Sequence, residues 1–166
     1  MFQSSNSRFA HRNQQSAPLI NEQSLFAYLV NRVNPVNLFK SETMNKINLA
    51  DKLSLINDHW NPRIAGELNG QLLKLVKFQG PFTWHHHEHE DELFLVVKGR
   101  FRMDYREDGR EREEWIEAGE LVIVPRGVEH RPFAAAECEV MLFEPASTLN
   151  TGNVEDEFTR KNLATI

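Results

Sequence analysis

Cysteine and uninterrupted apolar sequence are both scarce in this chain. A lone Cys138 among 166 residues cannot close an internal disulfide, so nothing in the fold calls for an oxidising compartment. No apolar run approaches the ~20 residues that a membrane-spanning helix requires. The opening Met1-Phe2-Gln3-Ser4-Ser5 has neither the apolar core nor the early basic cluster of a signal peptide, and a cytoplasmic location is the expectation. Positive charge is short as well. Against 24 Asp and Glu stand 19 Lys and Arg, a net charge of −5, and where the basic residues are densest, from Arg100 to Glu117, acidic ones are interspersed with them. Binding phosphates takes a clustered basic surface, so no nucleic-acid partner is expected. What the chain does have is core material: 40% of its residues are hydrophobic and eleven are Phe, enough for one domain without covalent staples.

Residues 1 to about 23 are rich in Ser, Asn and Gln, a composition that buries too little surface to offset its ordering entropy. The apolar patch Leu25 to Val30 could form a turn or two of helix, which Asn34-Pro35 would end. Residues 1–43 therefore read as a disordered or weakly docked extension. From Asn48 the pattern changes. Leu49, Leu53 and Ile56 fall at helical spacing behind an Asn48 cap and predict a short helix ending near Asp58. Beyond Pro62 nearly every segment reads as strand: 71–79, 92–97, 101–106, 121–124 and 140–143. Asp108-Gly109 is a hairpin turn, with Arg102 and Arg106 on one arm and Glu111, Glu113 and Glu114 available on the other. Short strands at this spacing predict an all-β sandwich or barrel over residues 44–147, and the polar tail 148–166 either wraps the surface or frays. The run Leu93 to Val97 is apolar on both faces, so its outer face needs a cover. The leading helix or a second copy of the barrel, in a homodimer, would supply it.

The chemistry concentrates in Gly80-Pro81-Phe82-Thr83-Trp84-His85-His86-His87-Glu88-His89-Glu90-Asp91-Glu92, which holds four of the seven histidines. Side chains two apart on a strand share a face, so His85 and His87 can present imidazoles to one point while His86 faces away. Glu92 opens the next strand after a turn, and its first inward position can face the same point. Imidazole with carboxylate suits a divalent Fe, Mn, Ni, Cu or Zn ion. On its own this segment also fits a solvated histidine-rich turn. His89, two residues from His87, is a possible substitute ligand, or a solvated group in that turn. Phe82 and Trp84 read as core or rim packing. Arg126 reads as an exposed turn residue or as a cation at the barrel mouth.

A second segment, Gly119-Glu120-Leu121-Val122-Ile123-Val124-Pro125-Arg126-Gly127-Val128-Glu129-His130, changes the balance. Together the two resemble the paired motifs of the cupin superfamily. His85 and His87 are separated by one residue, Glu92 follows after four and Gly99 after six more; Gly119, Pro125, Gly127 and His130 keep the spacing of the second motif. Ala134 stands where that motif commonly has Asn, and Gly80 sits one residue nearer His85 than is common. The resemblance implies a double-stranded β-helix, or jelly-roll barrel, of the small single-domain kind. It also implies one divalent transition metal held by His85, His87, Glu92 and His130. Phe94, Val96, Phe101, Met103 and Tyr105 would line a narrow, largely apolar pocket that accepts a small molecule. Small cupins are often described as like mannose-6-phosphate isomerase, a label that rests on fold alone. Isomerases, lyases, dioxygenases and non-catalytic binding proteins all occur among them. A metal-dependent enzyme acting on a small oxygenated anion, such as a sugar acid or keto acid, is the first expectation, and a ligand-binding or sensing module is the second. For a general base the sequence offers Tyr105, Glu88 and His89.

Overall fold

The computed structural model describes residues 44–166; the apolar patch Leu25 to Val30 and the polar stretch before it lie outside them. The Asn48 side chain accepts hydrogen bonds from the Ala50 and Asp51 amides at 3.1 and 3.4 Å and starts α1, Leu49–Leu53. The helix stops well short of Asp58, and its apolar spacing continues in the turn that follows, which buries Ile56.

Seven strands follow: β1 (Arg63–Leu68), β2 (Gln71–Pro81), β3 (Glu92–Lys98), β4 (Arg100–Glu107), β5 (Arg110–Glu117), β6 (Leu121–Val124) and β7 (His130–Pro145). Their ladders are all antiparallel, in the order β1-β2-β7-β3-β6, with β4 joined to β5 and to β7. β7 closes the structure. Its first residues pair with β4, and from Phe133 onward it also runs beside β2 and then β3, so one 16-residue strand belongs to both walls of a jelly-roll barrel. Asp108 and Gly109 both take positive φ, 49° and 72°, the twist a two-residue hairpin needs. Across that hairpin Arg102 meets Glu113 and Arg106 meets Glu111, each at 3.3 Å. These pairs are largely exposed and add little stability.

Inside the barrel, alternate residues pack into one cluster that includes Val76, Phe78, Phe94, Val96, Phe101, Met103, Ile116 and Val140. Phe94, Val96, Phe101 and Met103 are thus filled core more than pocket wall. A second cluster lies on the outer face, where Leu53 and Ile56 cover Ala65, Leu75 and Val97. This answers part of the need for a cover over β3. Leu93 and Leu95 are half-buried beside Leu121 and Ile123, which remain 53% and 57% exposed. Leu53 is fully enclosed, so Leu53→Ala should cost about 2–5 kcal/mol, and a urea titration should show a lower midpoint with an unchanged slope.

After β7 the chain runs back over the barrel through residues 148–166. Phe158 packs on Phe82 and Trp60, with ring centroids at 5.0 and 6.4 Å. The last residues bond alongside β1, Ile64 exchanging backbone hydrogen bonds with Ala164 and Ile166. No helix among the described residues is long and apolar enough to cross a membrane.

Candidate metal centre

Four rungs lace the two histidine-bearing segments together. His85 and His130 exchange both backbone hydrogen bonds, at 3.1 and 2.8 Å, which sets them directly opposite each other. The Gly127 amide donates to the His87 carbonyl at 2.7 Å. The Asp91 carboxylate takes both the amide and the guanidinium of Arg126. Glu92 is the cross-strand partner of Val124. Arg126 is accordingly an exposed turn residue tied to Asp91, one of the two readings its sequence allowed.

These rungs bring His85, His87, Glu92 and His130 together, all buried, with one ligand-type atom from each within 4.8 Å of the others. His89 and Glu88 are exposed in the turn and His89 is not part of the group. His87 Nε2 and His130 Nε2 lie 3.0 and 3.1 Å from the same oxygen, Glu92 Oε2. Behind them the orientation is set by backbone: His85 Nδ1 lies 3.1 Å from the Thr83 carbonyl and His130 Nδ1 lies 2.9 Å from that of Val128. A ring whose Nδ1–H donates to a carbonyl carries its lone pair on Nε2. In neutral His130 that lone pair then faces a carboxylate oxygen, an arrangement that needs a positive centre between them. His87 Nε2 is buried with no well-angled hydrogen bond.

A metal ion fits this donor set better than protons do. Burial, and then the neighbouring His130, push His85 down to about 3, so its imidazole is neutral at pH 7. Burial works against charge on Glu92, but its close contacts with His130, His87 and Glu144 hold it well below the usual carboxylate range. The site is thus an ionised carboxylate among imidazoles, the neutral-nitrogen and oxygen set that divalent transition metals take.

His85 makes a sign-definite prediction for the metal-free protein. In the unfolded chain this histidine binds a proton near pH 6.5, in the fold only near 3, so between those values the unfolded state holds the extra proton. The stability it contributes is complete above pH 6.5 and is lost as the pH falls toward 3. Urea unfolding of the metal-free protein at steps between pH 7 and 4 should show that decline, and it should be shallower in His85→Gln.

Two groups the sequence reading missed stand behind Glu92. Glu144, on the inner face of β7, and Lys74, on the inner face of β2, form an ion pair of 2.7 Å. Burial, and then the charge of Glu92, raise the Glu144 carboxyl above its usual range, against the pull of Lys74. The strap after β7 also reaches the site. The His86 amide donates to Asn153 Oδ1 at 2.9 Å and the Asn153 amide returns a bond to the His86 carbonyl at 3.1 Å.

Space near the centre is of two kinds. A cavity of about 30 Å³, walled by Trp60, Phe82, His85, Glu92, Phe94 and Asn150, holds no more than water. A larger one of about 330 Å³ opens between β4 and β6, lined by Met103, Tyr105, Val122, Val124 and Val128 with Glu107 and Glu114 at its edge. Tyr105 is the cross-strand partner of His130, as Val124 is of Glu92, so this cavity adjoins the strands that carry two of the four residues. Trp84 lies outside both, half-buried between the Arg106 and Arg131 guanidiniums at 4.4 and 4.9 Å.

Comparison with known proteins agrees with this architecture. A family model described as a cupin domain matches residues 74–144. An uncharacterised protein of Bacillus subtilis, YdbB, is 30% identical over 91 residues, which span 55% of this chain and 75% of that protein. The crystal structure of a cupin-2 domain-containing protein from Shewanella frigidimarina is 43% identical, with a TM-score of 0.56 over 60% of this chain and 93% of that one. A hydroquinone 1,2-dioxygenase from Sphingomonas, in complex with 4-nitrophenol, shares the fold at 20% identity, with a TM-score of 0.56 over 62% of this chain and 33% of that enzyme.

Proposed function

The chain belongs to the cupin superfamily, and from that premise we propose that it is a metal-dependent enzyme of isomerase, lyase or dioxygenase type acting on a small oxygenated anion, such as a sugar acid or keto acid. In this reading His85, His87, Glu92 and His130 hold one divalent Fe, Mn, Ni, Cu or Zn ion. The observation that carries it is the convergence of His87 Nε2 and His130 Nε2 on one oxygen of a buried carboxylate, with backbone carbonyls fixing the far side of two of the three rings.

When bound, the ion supplies a Lewis acid that draws electron density from a coordinated substrate oxygen. Three neutral imidazoles and one carboxylate leave it one net positive charge, which favours an anionic or oxygen-donor ligand. The protein's share is placement. The His85–His130 backbone pair fixes the angle between two rings, and the core around Phe94 and Phe101 closes the inner side of the site except for a cavity the size of a water molecule. The cavity beside Tyr105 and Val124 has the size for a small molecule, and the Tyr105 hydroxyl is the candidate there for holding or moving a proton.

The test loads the purified protein with each candidate metal and follows a panel of small hydroxy and keto acids, with and without dioxygen. Metal-dependent loss of one class of substrate is expected. Saturable binding of these acids with no turnover under any metal would replace this reading with that of a ligand-binding or sensing protein.

A further inference from the structure

Lys74 and Glu144 are each 1% exposed, and their charged ends meet inside the barrel. Stability alone does not account for such a pair. Removing two ions from water costs several kcal/mol, and apolar side chains of similar volume in the same place are often as stable or more so. Their placement is more informative. Leu93 of β3 pairs with Phe143 of β7, which puts the buried Glu92 and Glu144 side by side on the inner face. Lys74 Nζ is anchored in turn by the Thr148 carbonyl at 3.2 Å. A row of buried polar groups therefore runs from the backbone at Thr148 through Lys74 and Glu144 to the adjacent Glu92. At its end, Oε2 of Glu92 faces His87 and His130.

We infer that Lys74 and Glu144 are positioning residues for the metal centre: they grip the Glu92 carboxyl from behind and so fix the direction in which it meets the ion. This rests on the metal-centre reading above. Lys74 is enclosed and engaged by both Glu144 and Thr148, which leaves it no room to act on a substrate itself.

Cobalt(II) is the probe, because its visible absorption reports the geometry of its ligands as well as its occupancy. The full chain is stripped of metal and titrated with cobalt against a competing chelator, in the wild type, Glu144→Gln and the double variant Lys74→Met/Glu144→Leu. Thermal unfolding of each metal-free protein is measured alongside. The double variant should unfold cooperatively near the wild-type temperature or above it, yet bind cobalt about tenfold or more weakly, with a shifted spectrum. Glu144→Gln should stay within a few-fold of wild type with its spectrum kept, because the amide can donate to Glu92 and accept from Lys74. If the double variant does not fold, Lys74→Met alone takes its place in the comparison. Wild-type affinity and spectrum in the variant lacking the pair would overturn the inference, as would a loss in Glu144→Gln equal to that in the double variant. A wild type that takes up no cobalt would instead overturn the metal-centre reading, and this inference with it.

Discussion

Replacing His87 with alanine should lower metal affinity at least tenfold, while replacing His89, two residues on, should leave it unchanged. The contrast is sharp because the fold separates two histidines that lie only two residues apart in the sequence. His87 is buried, its Nε2 is 3.0 Å from the Glu92 carboxylate, and it lacks a well-angled hydrogen bond of its own. His89 lies exposed in the turn before β3. Without the His87 imidazole an ion would keep His85, Glu92 and His130, one donor short. Competition against a chelator, read as metal retained per chain, measures the difference. Equal losses in His87→Ala and His89→Ala would mean that the turn, and not the barrel interior, collects the metal.

Gly152→Ala should be the most damaging single-methyl change in the strap. Gly152 has φ of +50°, and a β-carbon there would collide with the His86 carbonyl oxygen and come within 3.2 Å of His87 Cε1. The obstacle is backbone, which cannot swing aside as a flexible side chain does. Overpacking of this kind costs about 1–3 kcal/mol, and the backbone contact places this site toward the upper end, a fall of several degrees or more in Tm. His86 is clamped by Asn153 and flanked by His85 and His87, so the displacement should also weaken metal binding. Gly70→Ala is the control: its φ of +80° imposes backbone strain, but a β-carbon there meets nothing within 4 Å. It should destabilise less and leave metal affinity alone. Identical behaviour of the two variants would show that the strap does not bear on the site.

How much of this is legible in the sequence depends on the distance over which each residue is specified. The two-residue spacing of His85 and His87, the strand start at Glu92 and the Asp108-Gly109 hairpin are local features, and the structure places them as their periodicity predicts. The partnership of His85 with His130 is not local. It depends on a backbone pairing across 45 positions, and only the resemblance of the two motifs pointed to it. Lys74 and Glu144 are hard to recognise from sequence because a charged residue in an alternating strand ordinarily faces water. Parity carried the signal: Lys74 shares a face with Val76 and Phe78, and Glu144 with Leu142 and Val140, all of them buried. The strap had no such signal. Residues 148–166 are polar in composition, and the contacts of Gly152, Asn153 and Phe158 depend on where β7 delivers the chain.

Elemental analysis of protein purified without a histidine tag tests the central claim most directly. The account predicts close to one divalent transition-metal ion per chain, removed by chelator and restored by titration, with His85, His87, Glu92 and His130 each required to retain it. Protein that carries no metal, and takes none up when titrated with iron, manganese, nickel, copper or zinc, would contradict it.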